Sequence, residues 1–386
     1  MKLLRMKHIT VVLTIITLLF SCKMTQKTPT DYSALWEKAE QLVNKEGLTK
    51  SAIAEVKSIY ALAEKENQPA QKIRALVYLT ELMEDVTDDE SRETIEMVRK
   101  ELQTSKAPEK QLLHSILASR YQQIYEENRW EIIERTPLGT PDELDPNEWS
   151  TKAFHDFISK HYLASLENPA LLRETSLKDY QPLIKKGNAS ALRPTLYDLL
   201  AHQALNYFKR NERDLPDPIN VFQVNDPAAF ASAKTFANTS FQTEDSSSLS
   251  FRALTTYQEL IRLHLNDTDP SALIDVDLER LRYMNEVAVS GNKDEQYIAA
   301  LEQLAARYPQ HPMAAAAKVE ALSAALAMQR ISIQRPILHP SNSSRWSWQR
   351  HSARSPTNSR IPRQAITRNN NGLLSRILLY LRRRKK

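Results

Sequence analysis

Cys22 is the only cysteine in the 386-residue chain, and its setting suits one reaction, acylation of its sulfur. Leu19-Phe20-Ser21-Cys22 places a branched apolar residue three positions before the cysteine and a small residue directly before it, the pattern of a lipobox. Upstream, Val11-Val12-Leu13-Thr14-Ile15-Ile16-Thr17-Leu18 forms a short apolar core behind a basic start carrying Lys2, Arg5, Lys7 and His8. A stable membrane span needs about 20 apolar residues, whereas a signal peptide needs only a basic region and a short core. Cleavage before Cys22 is therefore expected, with residues 1–21 as signal peptide and residues 22–30 as a lipidated linker. An uncleaved signal anchor and ordinary secretion are the alternatives. Strong anchoring takes more than one acyl chain. The expected address is the outer membrane, held through the N-terminal lipid. Lys23 follows Cys22 with no acidic cluster behind it, which favours the periplasmic face over surface display.

Other chemistry-bearing residues do not assemble into a motif. His114, His155, His161 and His202 fall in stretches of helical period, yet no His-Glu-Xaa-Xaa-His pair or Cys-His group gives metal-ligand spacing. Glu126-Glu127 and Asp88-Asp89-Glu90 read as solvated helix faces or ends. Gly139 and Gly187 are isolated turn glycines, and no Gly-Xaa-Ser-Xaa-Gly elbow occurs. No catalytic, metal-ligating or cofactor-binding residue is nominated, and the chain is not expected to be an enzyme.

The elements around these residues read as helices. With one cysteine there is no intrachain disulfide, so the core must come from packing. Five glycines in the whole chain argue against phosphate loops and turn-rich barrels. The expected fold is all-α. Tyr32 to Leu42 carries Leu35, Trp36, Ala39 and Leu42 at helical spacing, closed by a turn at Gly47. Ser51 to Glu64 and Gln71 to Glu84 continue the pattern. Further helices are expected at Glu90 to Leu102, Glu109 to Glu127, Thr151 to Ser165, Pro194 to Phe208, Leu249 to Leu265 and Leu273 to Val287. The organisation expected is a helical region over 31–210, a second over 211–330, and a tail over 331–386. Arg135 to Glu148 is too polar and interrupted for helix; both it and Leu215 to Ala228, which lie between the helices, would line a groove or lie as solvated loops.

The clearest repeat signal is Tyr297-Ile298-Ala299-Ala300-Leu301-Glu302-Gln303-Leu304-Ala305-Ala306-Arg307-Tyr308-Pro309, followed by an Ala-rich helix beyond Pro312. It looks like a tetratricopeptide-type unit, in which small residues permit close packing and proline marks the boundary. Tyr297, Ala300, Leu301, Leu304, Tyr308 and Pro309 are the expected repeat-packing positions. No uniform period of 34 extends through the chain, so an irregular helical-hairpin solenoid, tetratricopeptide-like only in part, is the architecture expected.

Composition breaks after Arg330. Residues 331–386 contain thirteen Arg and Lys and no Asp or Glu; removing them from the formal total of +5 leaves residues 1–330 at −8. The stretch around Asn342-Ser343-Ser344-Arg345-Trp346-Ser347-Trp348 has no sustained period and a disordered composition. Three readings stand. Trp346, Trp348 and the arginines could meet nucleic acid or anionic lipid, although export makes nucleic acid an unexpected partner. Leu373 to Leu381 followed by Arg382-Arg383-Arg384-Lys385-Lys386 could form a basic amphipathic anchor. Alternatively the coding frame slips near Met328 to Arg335, inside a helical repeat, which would explain why acidic residues and period vanish together.

Trp36-Glu37-Lys38-Ala39-Glu40 through Gly47-Leu48-Thr49-Lys50-Ser51-Ala52, Ile59-Tyr60-Ala61-Leu62-Ala63 and Gln68-Pro69-Ala70-Gln71-Lys72-Ile73-Arg74-Ala75-Leu76 together resemble the N-terminal helical region of large alpha-2-macroglobulin-like lipoproteins of Bacteroidetes-type bacteria. Arg129 to Thr136, Trp149 and Tyr162-Leu163-Ala164-Ser165-Leu166 fit the same likeness, which covers roughly residues 30 to 325. The resemblance implies a cell-envelope protein of protease defence, in which cleavage of a bait segment closes stacked β-sandwich domains and a Cys-to-Gln thioester attaches the attacker. Bait, thioester and sandwiches find no counterpart here, since Cys22 is followed by Lys23-Met24-Thr25 rather than a Cys-Xaa-Glu-Gln motif. The expected partners are the membrane, through the lipid, and either another protein or the missing C-terminal domains. The alternative function is a stand-alone tetratricopeptide-like scaffold for protein binding.

Overall fold

Several helices begin where a polar cap meets the apolar period, as at Asp31, Ser150, Thr195 and Ser248. Asp31 accepts from the Ser33 amide at 3.0 Å and opens α1 (Tyr32–Gln41), which continues through a wider π-turn at Leu42–Glu46. Gly47 then ends it at φ +68°, a left-handed conformation that costs a residue without Cβ little. Here and throughout, the structure is a computed structural model that describes residues 30–82, 88–135, 146–180, 192–210 and 218–334. Cys22, the signal segment and the tail beyond residue 334 lie outside the described residues.

α2 (Thr49–Lys65) and α3 (Pro69–Leu82) fold back on α1 around Trp36, Ala39, Ala52, Val56, Ile59, Ala75, Tyr78 and Leu79. The Trp36 indole donates to Gln71 Oε1 at 2.7 Å, and the Arg74 guanidinium lies 4.0 Å above its ring. α4 (Asp88–Thr104) joins this group through Glu101, whose buried carboxylate takes Tyr60 at 2.9 Å and Lys72 at 2.6 Å. Three helices thus share one anion.

A larger core begins at α3 and runs to the last helix. α5 (Glu109–Glu127) packs along α7 (Thr151–Ser165), with the short α6 (Arg129–Ile133) between them in sequence. Their seam is aromatic. Trp149, just ahead of α7, stacks on Tyr121 with centroids 4.9 Å apart and planes 13° from parallel, and meets Phe154 edge-on at 5.1 Å. Arg135 Nη1 holds the approach by donating to the carbonyls of Pro146 and Trp149 at 3.2 and 3.3 Å. Of the expected loop from Arg135 to Glu148, the structure describes these two ends, with a short 3-10 turn at Pro146–Glu148.

α8 (Pro169–Glu174) and α9 (Leu196–Phe208) follow, then α10 (Ala233–Asn238), α11 (Leu249–His264), α12 (Ser271–Val287), α13 (Lys293–Arg307) and α14 (Pro312–Gln334). The fold is all-α, and most of the packing is between helices adjacent or nearly adjacent in sequence. The two ranges for α5 and α7 coincide with those read from the period. The short α6, α8 and α10 were not anticipated, because five or six residues do not complete two turns and so leave no periodic signature.

The core runs on across residue 210, where a division between two helical regions was expected: Tyr207 and Phe208 share one apolar cluster with Ala253, Leu254 and Tyr257. In the described part of the expected loop at Leu215 to Ala228 most residues are exposed, and the chain is tied down at Val224. Val224 pairs with Ala288 in an isolated parallel bridge, the Val289 amide donating to its carbonyl at 3.1 Å. Next to it, fully buried Arg280 donates to the carbonyls of Ala229 and Ala231 at 2.6 and 3.0 Å and lies 4.6 Å from the Phe236 ring. Irregular backbone can be buried only when its polar groups find such partners. Among the described residues no helix is long and apolar enough to cross a membrane.

The aromatic seam sets a stability test. Trp149 is 2% exposed, and truncating a packed tryptophan leaves a cavity that surrounding rings cannot close. Trp149→Ala is expected to lose about 3–5 kcal/mol of unfolding free energy in urea titrations followed by circular dichroism.

Candidate functional site

The C-terminal hairpin of α13 and α14 contains the repeat-packing positions named from sequence. Tyr297, Ala300, Leu301 and Leu304 are buried, Tyr308 is half-buried, and Pro309 stands exposed in the turn. Pro309 therefore acts as a helix boundary and does not itself pack. Ala314, Ala317 and Ala321 line the inner face of α14, and their small side chains let the two helices approach closely. A polar clasp fixes the register: Arg282 on α12 donates to Glu320 through Nε at 2.9 Å and Nη2 at 2.6 Å, and the Tyr297 hydroxyl donates to the same carboxylate. That Arg282 bond and burial-opposing contact with Tyr297 hold the Glu320 carboxyl below its ordinary pKa.

Opposite the alanines, α14 carries a second apolar stripe. Val319, Leu322 and Leu326 are 64%, 59% and 60% exposed, at spacings of three and four that place them on one side of the helix. From Ala325 to Arg330 every residue is exposed, so the helix leaves the body there. A two-faced helix of this kind has one face packed and one ready to pack.

A buried polar chain links α9 and α11. Thr195 and Asp198 form a capping box at the start of α9: Asp198 Oδ2 accepts from the Thr195 amide at 2.9 Å and its hydroxyl at 2.8 Å. The other oxygen, Oδ1, meets His264 Nε2 at 2.7 Å, and His264 Nδ1 meets Asp267 at 2.6 Å. With a carboxylate on each nitrogen, the ring is best satisfied as an imidazolium. Burial works against that charge, but the bonds to Asp198 and then Asp267 overcome it and raise the His264 pKa above 6.5.

The four histidines named from sequence are placed in three ways. His114 and His161 face each other with Nδ1 atoms 2.8 Å apart; burial, then Lys110 and Lys160, push His114 down to about 4, and burial, then His114, Lys160 and Arg99, push His161 down to about 3. His155 Nδ1 lies 2.6 Å from the Tyr207 hydroxyl. His202 donates from Nδ1 to the Asp198 carbonyl at 2.8 Å, which turns Nε2 toward Asp275 and Glu279 on α12. Sequence reading passed over those two carboxylates. Their signal was an acidic pair four residues apart on a helix otherwise apolar at Ile274, Val276, Leu278 and Leu281, but the histidine facing them comes from a helix far away in sequence.

Comparison of the chain with protein-family models, with curated proteins and with solved structures gives no match.

The His264 bridge predicts a pH signature. A folded pKa raised above the unfolded value of about 6.5 contributes stability that is full below that value and fades as pH rises through the folded one. His264→Gln also leaves the Asp198 carboxylate without its cationic partner, at a cost of about 3–5 kcal/mol. In urea unfolding the gap between the original chain and His264→Gln is expected to be widest at pH 6 and to narrow toward pH 9; a gap independent of pH would show that the ring is neutral in the folded state.

Proposed function

We propose that this chain is the leading helical arm of a cell-envelope lipoprotein of the alpha-2-macroglobulin-like protease-defence type, anchored through Cys22, with α14 as the face on which a further helical segment of that protein docks. The observation that carries the docking face is the stripe Val319, Leu322 and Leu326 on a helix whose opposite side is already packed. Covering those side chains contributes about 1–2 kcal/mol each, enough to seat a complementary amphipathic helix once the rest of its face joins in. The family reading is supported by the likeness at Trp36 to Ala52 and Ile59 to Leu76. No Cys-Xaa-Glu-Gln motif occurs in the chain, so on this reading covalent trapping belongs to the parts that α14 receives. The alanine-lined hairpin of α13 and α14 supports a second reading, a stand-alone tetratricopeptide-like scaffold that grips a partner peptide.

Two experiments separate these. Palmitate labelling and membrane fractionation test the anchor: Cys22→Ser is expected to move the product from the detergent-requiring fraction to the soluble periplasm, and membrane retention without label would sink the lipid anchor. For the docking face, the DNA beyond the codon for Lys386 is sequenced in all frames, and any helical segment followed by β-sandwich domains is expressed and titrated against the chain. Association weakened at least about 10-fold by Leu322→Lys with Leu326→Lys supports the arm. A downstream region without such a frame, or a segment that does not bind, leaves the scaffold.

A further inference from the structure

We propose that His202, Asp275 and Glu279 form a binding site for one divalent transition-metal ion of the zinc type. Ligand atoms of the three side chains all lie within 4.8 Å of one another, and His202 Nε2 is 3.8 Å from Glu279 Oε2. An ion bound at about 2.1 Å by nitrogen and oxygen in a tetrahedron holds its ligand atoms roughly 3.4 Å apart, so a slight inward movement completes the set. Asp275 and Glu279, four residues apart, share one side of α12, and His202 reaches them from α9.

The histidine is the observation that goes beyond an acidic pair. His202 is 4% exposed, and its Nε2 has no hydrogen-bond partner. A buried polar atom left in that state is costly, and native structures usually give it a protein partner, an ordered water or an ion. The tautomer is already correct for coordination, because the Asp198 carbonyl can only accept and so fixes the proton on Nδ1. Glu279 is oriented in the same manner: Arg193 binds its Oε1 at 3.2 Å and leaves Oε2 facing the imidazole. The second nearby cation, Arg282, is engaged by Glu320.

Electrostatics agree with the geometry. Burial, reinforced by Arg193, pushes the His202 pKa down to about 4, so the lone pair on Nε2 is available at neutral pH. Burial and then the Glu279 charge raise the Asp275 pKa, the mark of two carboxylates crowded together. The fully buried Tyr257 hydroxyl, also without a hydrogen-bond partner, is raised well above its ordinary value by burial and by the same two acids. A divalent cation between the acids relieves their crowding. One nitrogen and two carboxylate oxygens suit zinc and its neighbours in the first transition row, and a fourth position is left for water.

The test uses the full chain carrying Cys22→Ser, which removes the one thiol that could bind the probe. After EDTA treatment and dialysis it is titrated with Co²⁺ and, separately, melted with and without Zn²⁺. One equivalent of Co²⁺ is expected to give visible d–d absorption, and Zn²⁺ in excess is expected to raise the thermal midpoint by about 3 °C or more. Asp275→Asn with Glu279→Gln should abolish both effects, while His114→Gln, which alters the separate His114–His161 pair, should preserve them. If the double variant fails to fold, Asp275→Asn alone should weaken zinc at least about 10-fold. Absence of a one-equivalent cobalt spectrum and of a zinc shift, or their survival in the carboxylate variants, overturns the site.

Discussion

Asp198 is the residue on which the placement of the central helices depends. Its carboxylate starts α9 by closing the capping box with Thr195, and the same carboxylate meets His264 at the end of α11. Its backbone carbonyl then sets the His202 ring. One fully buried residue therefore fixes where a helix begins and how far the next long helix extends, through its carboxylate, and which nitrogen of a third side chain faces inward, through its carbonyl. Burying a charge is costly unless it is paired and hydrogen-bonded, and here three donors reach the carboxylate. The aromatic seam around Trp149 supplies more apolar area, but it is non-directional; the Asp198 centre supplies the angles.

The long helices were legible because their apolar positions repeat over three turns or more. Glu109–Glu127 and Thr151–Ser165 are examples, and each begins at a residue that sequence could name. The capping box at Thr195 and Asp198 was equally visible in principle, as a polar residue followed three positions later by an acid. The short α6, α8 and α10 were hidden by length. The pinned segment near Val224 was hidden for another reason: its partners Ala288, Arg280 and Gln258 are distant in sequence, and Gln258 reaches the carbonyls of Phe236 and Thr239 at 2.7 Å each. Most residues from Ile219 to Pro227 are exposed, as a solvated loop would be; Val224 is the buried exception, its carbonyl held by the Val289 amide, and the carbonyls that side chains of two helices satisfy come after it, at Ala229, Ala231, Phe236 and Thr239.

The candidate sites divide along the same line. Tyr297, Ala300, Leu301 and Leu304 lie within two helical turns, so their common face could be read directly. His202 was named only as a helical histidine without ligand spacing, and Asp275 and Glu279 were not named. Metal-ligand motifs are readable when a single element supplies two or more ligands with the third close by; here α12 gives two acids and α9 gives the imidazole, with α10 and α11 between them in the chain. Only the tertiary fold brings Nε2 to the carboxylates.

The emergence of α14 from the body has a mechanical consequence. Glu320 is gripped by Arg282 and Tyr297, and Gln334 lies fourteen residues beyond it, about 20 Å of helix at 1.5 Å per residue. The outer part is therefore a lever and the clasp its fulcrum. A sideways push at the far end arrives at Glu320 multiplied by the ratio of the two arms, and the side chains that feel it first belong to α12 and α13. Tension on whatever α14 carries would be transmitted inward as torque on α12, the helix that also bears Asp275 and Glu279.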